Sequence, residues 1–130
     1  MNDEFLAGRK ILIVEDDLSS RLYLDKILEK SGAVVYNAGN GREAYDFVMA
    51  NQDIDLILMD IQLPILDGYS CTEMLRSSGQ NMIIIAQTAY GLTSDKDKLM
   101  SSGFNDYIIK PISRSQLIEK LNAYLPYRKP

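Results

Sequence analysis

Four apolar runs in this chain end on residues that can do chemistry. ILIV at 11–14 leads into Glu15, Asp16 and Asp17, and LILM at 56–59 leads into Asp60. A third run, MIIIA at 82–86, is followed by Gln87 and Thr88; a fourth, YII at 107–109, leads into Lys110 and Pro111. Asp17 stands where a helix N-cap is needed. If the two runs that end on acids, 11–14 and 56–59, lie side by side, Glu15, Asp16 and Asp60 converge, and three close carboxylates repel one another. A hard divalent cation with oxygen ligands relieves that repulsion. Mg²⁺ fits best, because it keeps several waters and needs only one or two direct carboxylates. The Thr88 hydroxyl and the Lys110 ammonium then supply two donors for phosphoryl oxygens. A carboxylate nucleophile, a metal and two such donors make a phosphoryl-transfer site.

The elements that must position these residues follow from the hydrophobic pattern. KILIV (10–14), AVVY (33–36), LILM (56–59), MIIIA (82–86) and YII (107–109) are predicted strands. Those at 11–14, 56–59 and 82–86 are apolar on both faces, as parallel strands covered by helices on both sides must be. Helical spacing links Leu18, Leu22, Leu24, Ile27 and Leu28, which precede Gly32 as a C-terminal cap. It also links Ala44, Phe47 and Val48, then Cys71, Met74 and Leu75, and last Leu117, Leu121, Tyr124 and Leu125. Ser113 and Gln116 form a capping pair ahead of that last stripe. The stretch 93–102 is the weakest helix, with Leu99 and Met100 as its main apolar contacts. Strand and helix alternate five times, which predicts an α/β fold: a doubly wound, five-stranded parallel sheet in the flavodoxin-like order 2-1-3-4-5, helices on both faces. In that order strands 1 and 3 are neighbours and the crevice lies between their carboxyl ends.

Composition excludes several classes. The chain has 130 residues and a net charge of −4, which suits one domain and argues against a nucleic-acid surface. No apolar run approaches the ~20 residues of a membrane span. The complete absence of histidine removes Ser-His and Cys-His catalysis and histidine-ligated zinc. The single cysteine, Cys71, excludes an internal disulfide and suits a cytoplasmic setting. By pattern it is a buried packing residue, as are the scattered methionines.

ILIVEDD, LILMDIQLPILDGY, TAY and GFNDYIIKPI occur in the order and spacing of the receiver domains of two-component response regulators, and the chain resembles that family over about residues 9–125. It looks most like receivers fused to hybrid histidine kinases. The resemblance implies that Asp60 is the phosphoacceptor, that Asp16 binds Mg²⁺ directly and Glu15 through water, and that the Gln62 backbone carbonyl completes the protein ligands. It implies that Thr88 hydrogen-bonds the phosphoryl group, that Lys110 pairs with it, and that Tyr107 is the switch aromatic that turns inward when Thr88 moves. Pro64 and Gly68 shape the loop after the acceptor. The donor is a histidine kinase or a histidine phosphotransfer domain, which fits a chain with no histidine of its own. No direct contact with nucleic acid or membrane is implied, and weak dimers through the fourth helix, fifth strand and fifth helix are compatible with the family. Four positions depart from the usual pattern: Glu15 for aspartate, Leu63 for methionine, Gln87 for an apolar residue, and the bulky Tyr90 beside the site.

Two other functions share parts of this pattern. A phosphatase with an aspartate nucleophile wants a second acid two residues on, where this chain has Gln62. A pseudo-receiver, a binding module with dead chemistry, would not need Glu15, Asp16, Asp60, Thr88 and Lys110 together. The tail PYRKP after Leu125 is too short to bind DNA, so residues 1–130 are expected to act as one receiver domain, stand-alone or cut from a longer protein, with flexible ends at 1–8 and 126–130.

Overall fold

The computed structural model describes residues 4–51, 53–89 and 93–127, with the side chains of 93–95 left aside. Its elements in chain order are β1 (Lys10–Val14), α1 (Leu18–Lys30), β2 (Val34–Ala38), α2 (Gly41–Ala50), β3 (Leu56–Asp60), α3 (Gly68–Ser77), β4 (Ile83–Thr88), α4 (Thr93–Ser102), β5 (Asp106–Ile109) and α5 (Arg114–Tyr124). The strands form one parallel sheet in the order β2-β1-β3-β4-β5, as expected.

Alternation along the strands divides the core into two layers. Ile11 and Ile13 of β1 and Leu56 and Leu58 of β3 pack with Leu24, Ile27 and Leu28 of α1 and Leu117 and Leu121 of α5. Leu12, Val14, Ile57 and Met59 face the other way, onto Ala44 and Val48 of α2, Cys71 and Leu75 of α3, and Leu99 of α4. All five residues of β3 are buried, which is why its sequence carries no alternation. Burial pushes the Cys71 thiol up to about 12 and keeps it a packing group.

The helices begin where their capping residues stand. Asp17 accepts the Ser20 N–H at 2.9 Å, Asn40 the Glu43 N–H at 2.9 Å, Asp67 the Ser70 N–H at 2.9 Å, and Ser113 the Gln116 N–H at 3.2 Å. Gly32, just past α1, has φ +88°, the left-handed conformation expected of it. Gly68 is required for another reason: a Cβ there would overlap the Asp60 carbonyl and the Ile61 backbone. The start of α3 therefore lies directly against the end of β3.

Three expectations need correction. Leu18 and Leu22 do not join the core stripe of α1; both are more than half exposed, because the first turns of α1 overhang the carboxyl edge of the sheet. Met100 is exposed as well, so among the described side chains of α4 the apolar anchor is Leu99. Residues 4–8 are not a loose end. Leu6 is fully buried, its N–H donates to Ser31 O at 2.9 Å, and Phe5 packs on the α1/α5 layer. A two-residue apolar pair has no period to announce it.

Candidate functional site: an acidic cleft at the carboxyl edge

Pairing of β1 with β3 sets Val14 opposite Met59, so the residues that follow each emerge together. β3 and β4 both run further than their apolar cores. Asp60 is the last residue of β3, paired with Gln87, and Thr88 is the last residue of β4, paired with Ile109. Because backbone ladders hold Asp60 and Thr88, their side chains start from fixed points and not from free loops.

Glu15, Asp16 and Asp60 do converge: each offers a carboxylate oxygen, and these lie within 4.8 Å of one another. Glu15 is 1% exposed and Asp60 5%, while Asp16 faces solvent. Lys110 reaches in from the end of β5. Its ammonium donates to Asp60 Oδ2 at 2.8 Å and to Glu15 Oε1 at 3.0 Å. The remaining carboxylate oxygens accept backbone donors: Gln62 N–H to Asp60 Oδ1 at 2.9 Å, and Asp17 N–H to Glu15 Oε2 at 3.2 Å. A further strut joins the two donor strands, where Lys110 N–H donates to Thr88 O at 2.7 Å.

Three carboxylates facing one ammonium leave an excess of negative charge. Burial raises the Glu15 pKa above the ordinary carboxylate range, opposed by its bonds to Lys110 and the Asp17 N–H and reinforced by the charge of Asp60. Burial acts against the Lys110 charge too, but its bonds to Asp60 and Glu15 prevail and hold its pKa above the usual lysine value. The donor set is all oxygen and only partly neutralised. That chemistry suits a hard divalent cation and disfavours a soft one.

Thr88 is buried, two residues beyond Ala86, whose register partner on β5 is Tyr107. Thr88 and Tyr107 thus stand on the same sheet face, one step apart. Tyr107 is half-buried against the α2–α4 layer, and the Lys120 ammonium lies 5.7 Å from its ring centroid. Lys120 is held there by Asp106, at 2.9 Å to each carboxylate oxygen. This pair went unnoticed in the sequence, where nothing links residues 14 positions apart on different elements. Arg76 was also missed. Its guanidinium ties the end of α3 to Gly103 O, Met82 O and Asn105 Oδ1, at 2.9, 2.8 and 2.8 Å.

Of the departures noted above, Gln87 is fully buried, opposite Asp60 in the β3–β4 register. It is on the sheet face of Leu58 and Ile85, and its Nε2 donates to Leu58 O at 3.1 Å. Leu63 is buried in the α2–α4 layer. Tyr90 lies outside the described residues. Ile65, beside Pro64, takes φ +70° and is 81% exposed, an uncommon conformation for a β-branched residue at the rim of the cleft.

Comparison with known proteins agrees with this geometry. Residues 11–122 match the response regulator receiver domain family, and the chain belongs to that family. It is similar to the probable transcriptional regulatory protein SilR of Salmonella typhimurium, 38% identical over 116 residues that cover 89% of this chain and 50% of that one. The chain thus spans about half the length of that relative. Among solved structures it is similar to the receiver domain of a sensor histidine kinase from Pseudomonas aeruginosa PAO1 that holds a magnesium ion in its active-site cleft (36% identity, TM-score 0.82, covering 92% of this chain and 98% of that one). It is also similar to the receiver domain of Ssk1 from Saccharomyces cerevisiae, solved with the histidine phosphotransfer protein Ypd1 (31% identity, TM-score 0.85, 92% and 90% covered). Likeness to hybrid-kinase receivers is therefore shared with separate response regulators. Among the described residues, no helix is long and apolar enough to cross a membrane.

Proposed function

We propose that Asp60 accepts a phosphoryl group from a phosphohistidine of a histidine kinase or histidine phosphotransfer domain, and that the domain then changes shape or passes the group on. The observation that carries this reading is the meeting of Asp60 with Glu15, Asp16 and Lys110 at one cleft. A carboxylate oxygen of Asp60 attacks phosphorus, the P–N bond breaks, and its electron pair returns to the leaving imidazole. Glu15, Asp16, Asp60 and the Gln62 carbonyl would hold Mg²⁺, which would supply the charge neutralisation that lets an anion approach three acids. Lys110 exchanges its bond to Asp60 for one to a phosphoryl oxygen, and Thr88 donates its hydroxyl to another. Movement of Thr88 vacates space on the face it shares with Tyr107, and Tyr107 turns inward to fill it.

Exposed Leu18 and Ile65, which follow Asp16 and Asp60 closely in sequence, offer apolar contact to a histidine-bearing partner. The face of α4, β5 and α5, with exposed Met100 and Ile109, is the surface that would change on switching and through which weak dimers would form. The reading places residues 1–130 in the cytoplasm as one receiver, a phosphoacceptor that catalyses only its own phosphorylation and dephosphorylation, of the kind fused to hybrid kinases. Incubation with acetyl phosphate and Mg²⁺, followed by intact-mass spectrometry, tests it. One added phosphoryl group that is lost in Asp60→Asn is expected. Sustained turnover of acetyl phosphate would point to a phosphatase, and no labelling would point to a dead module.

A further inference from the structure

α4 is the most polar helix of the domain, and among its described side chains the apolar anchor is Leu99. A second hold on it lies outside the core. The Lys98 ammonium stands 4.2 Å from the centroid of the Tyr69 ring, well inside the ~6 Å reach of a cation–π contact. Among the described residues Lys98 makes no ion pair, so Tyr69 is the partner of its charge.

Tyr69 is gripped from the end of α4 as well. Phe104, buried just past that helix, meets its ring in a T-shaped arrangement, with centroids 6.0 Å apart and planes at 88°. Tyr69 belongs to the first turn of α3 and directly follows Gly68, which lies against the Asp60 carbonyl. One aromatic ring thus joins the strand end that carries Asp60 to a helix with little apolar anchorage.

We propose that the Lys98–Tyr69 contact is a latch: it holds α4 against α3 in the resting domain and opens when the domain switches. The inference rests on the reading above, that an occupied Asp60 site shifts the face containing α4. A contact made in only one of two shapes biases their balance by its full worth, and by linkage it weakens whatever favours the other shape by the same factor. Neither residue is among the groups that meet in the acidic cleft, so a change in affinity there on altering them reports the latch and not the site.

Beryllofluoride with Mg²⁺, an inert mimic of a phosphoryl group on a carboxylate, is the probe. It is titrated into the full chain and followed by ¹H–¹⁵N NMR at Gln62, beside the acceptor, and at residues 96–102 of α4. In the unmodified chain both sets of signals are expected to move. Lys98→Met should bind beryllofluoride roughly two- to fivefold more tightly, the worth of a surface cation–π contact. The direction is diagnostic, because loss of a surface cation alone would weaken the binding of an anion. Tyr69→Leu should tighten binding likewise, and the double variant no further than the stronger single one, since the two share one contact. Lys98→Arg keeps the cation and should match the unmodified chain. Labelling by acetyl phosphate reports whether Tyr69→Leu has folded; if it has not, Lys98→Met against Lys98→Arg decides. Unchanged or weaker binding by Lys98→Met, or single effects that add, would overturn the latch and leave the acceptor reading intact. α4 signals that stay still in the unmodified chain, whether or not Gln62 responds, would overturn the reading of the switch and the latch with it.

Discussion

The two edges of the sheet handle charge in opposite ways. At the amino edge, acids and bases are matched. Lys10 pairs with Asp53, Arg9 lies 3.9 Å from Asp55, the Lys10 N–H donates to Asp55 Oδ2 at 2.8 Å, and Arg9 also donates to Pro126 O at 3.1 Å. Both members of the Lys10–Asp53 pair are well exposed to solvent. At the carboxyl edge three acids share one lysine, and two of the three acids are buried. A fold that needed only to close its sheet would match charges at both edges. Surplus buried charge at one edge is therefore the mark of a site that gives up stability for chemistry, while the matched edge serves the fold.

That contrast can be broken most sharply at Asp60. Asp60→Asn is expected to abolish labelling by acetyl phosphate, read by intact mass. Its stability should move little, within about 1 kcal/mol, because loss of the Lys110 ion pair is offset by less repulsion from Glu15 and Asp16. Next in size is Lys110→Met, which leaves buried Glu15 and Asp60 without their ammonium. Urea denaturation at neutral pH should show a loss of about 1–3 kcal/mol. The loss should shrink as pH falls, since the Glu15 carboxyl, which burial raises above its unfolded pKa, takes up a proton more readily in the folded state.

Metal sharpens the contrast from the other side. At ten times its dissociation constant, Mg²⁺ should stabilise the fold by about 1.4 kcal/mol by binding the native state alone. Asp16→Ala should remove most of that rise in melting temperature; an undiminished rise would place the cation elsewhere. A smaller effect is expected at Asp106. Burial works against its charge, but its bonds to Lys120, the Tyr107 N–H and Tyr124 outweigh this and lower its pKa. A depressed acid gives stability that is present above its unfolded pKa, about 3.9, and is lost as pH falls through the folded value. Lys120→Met should flatten that acid limb by no more than about 1 kcal/mol, the pair being partly solvated. Smallest of all, Lys10→Ala at the matched edge should leave the urea midpoint close to that of the unmodified chain and phosphorylation untouched, the pair being solvent-exposed.

Much of this was legible because its causes are local. The continuous apolar run of β3, the caps at Asp17 and Ser113, and the turn glycine at 32 each depend on a few neighbours in sequence. Alternation of strand and helix then leaves few topologies, and the observed order is the one that brings Glu15 and Asp60 together. The sequence by itself thus determined which strands exist, that they are parallel, and which acids meet at their carboxyl ends.

Only the tertiary structure decided matters that depend on direction and on distant partners. It turned Leu18 and Leu22 to solvent by letting α1 overhang the sheet, and it seated Leu6 under the α1/α5 layer. It gave Lys110 to Glu15 as well as to Asp60, and set Lys120 over Tyr107 through Asp106. It also tied the Gln87 amide to the backbone of the neighbouring strand, where Nε2 donates to Leu58 O. Residue type and spacing specify what a segment can become. Which face of a helix overhangs, and which of two acids a long lysine reaches, is settled only when elements far apart in sequence are packed together, because those choices rest on distances of a few ångströms between them.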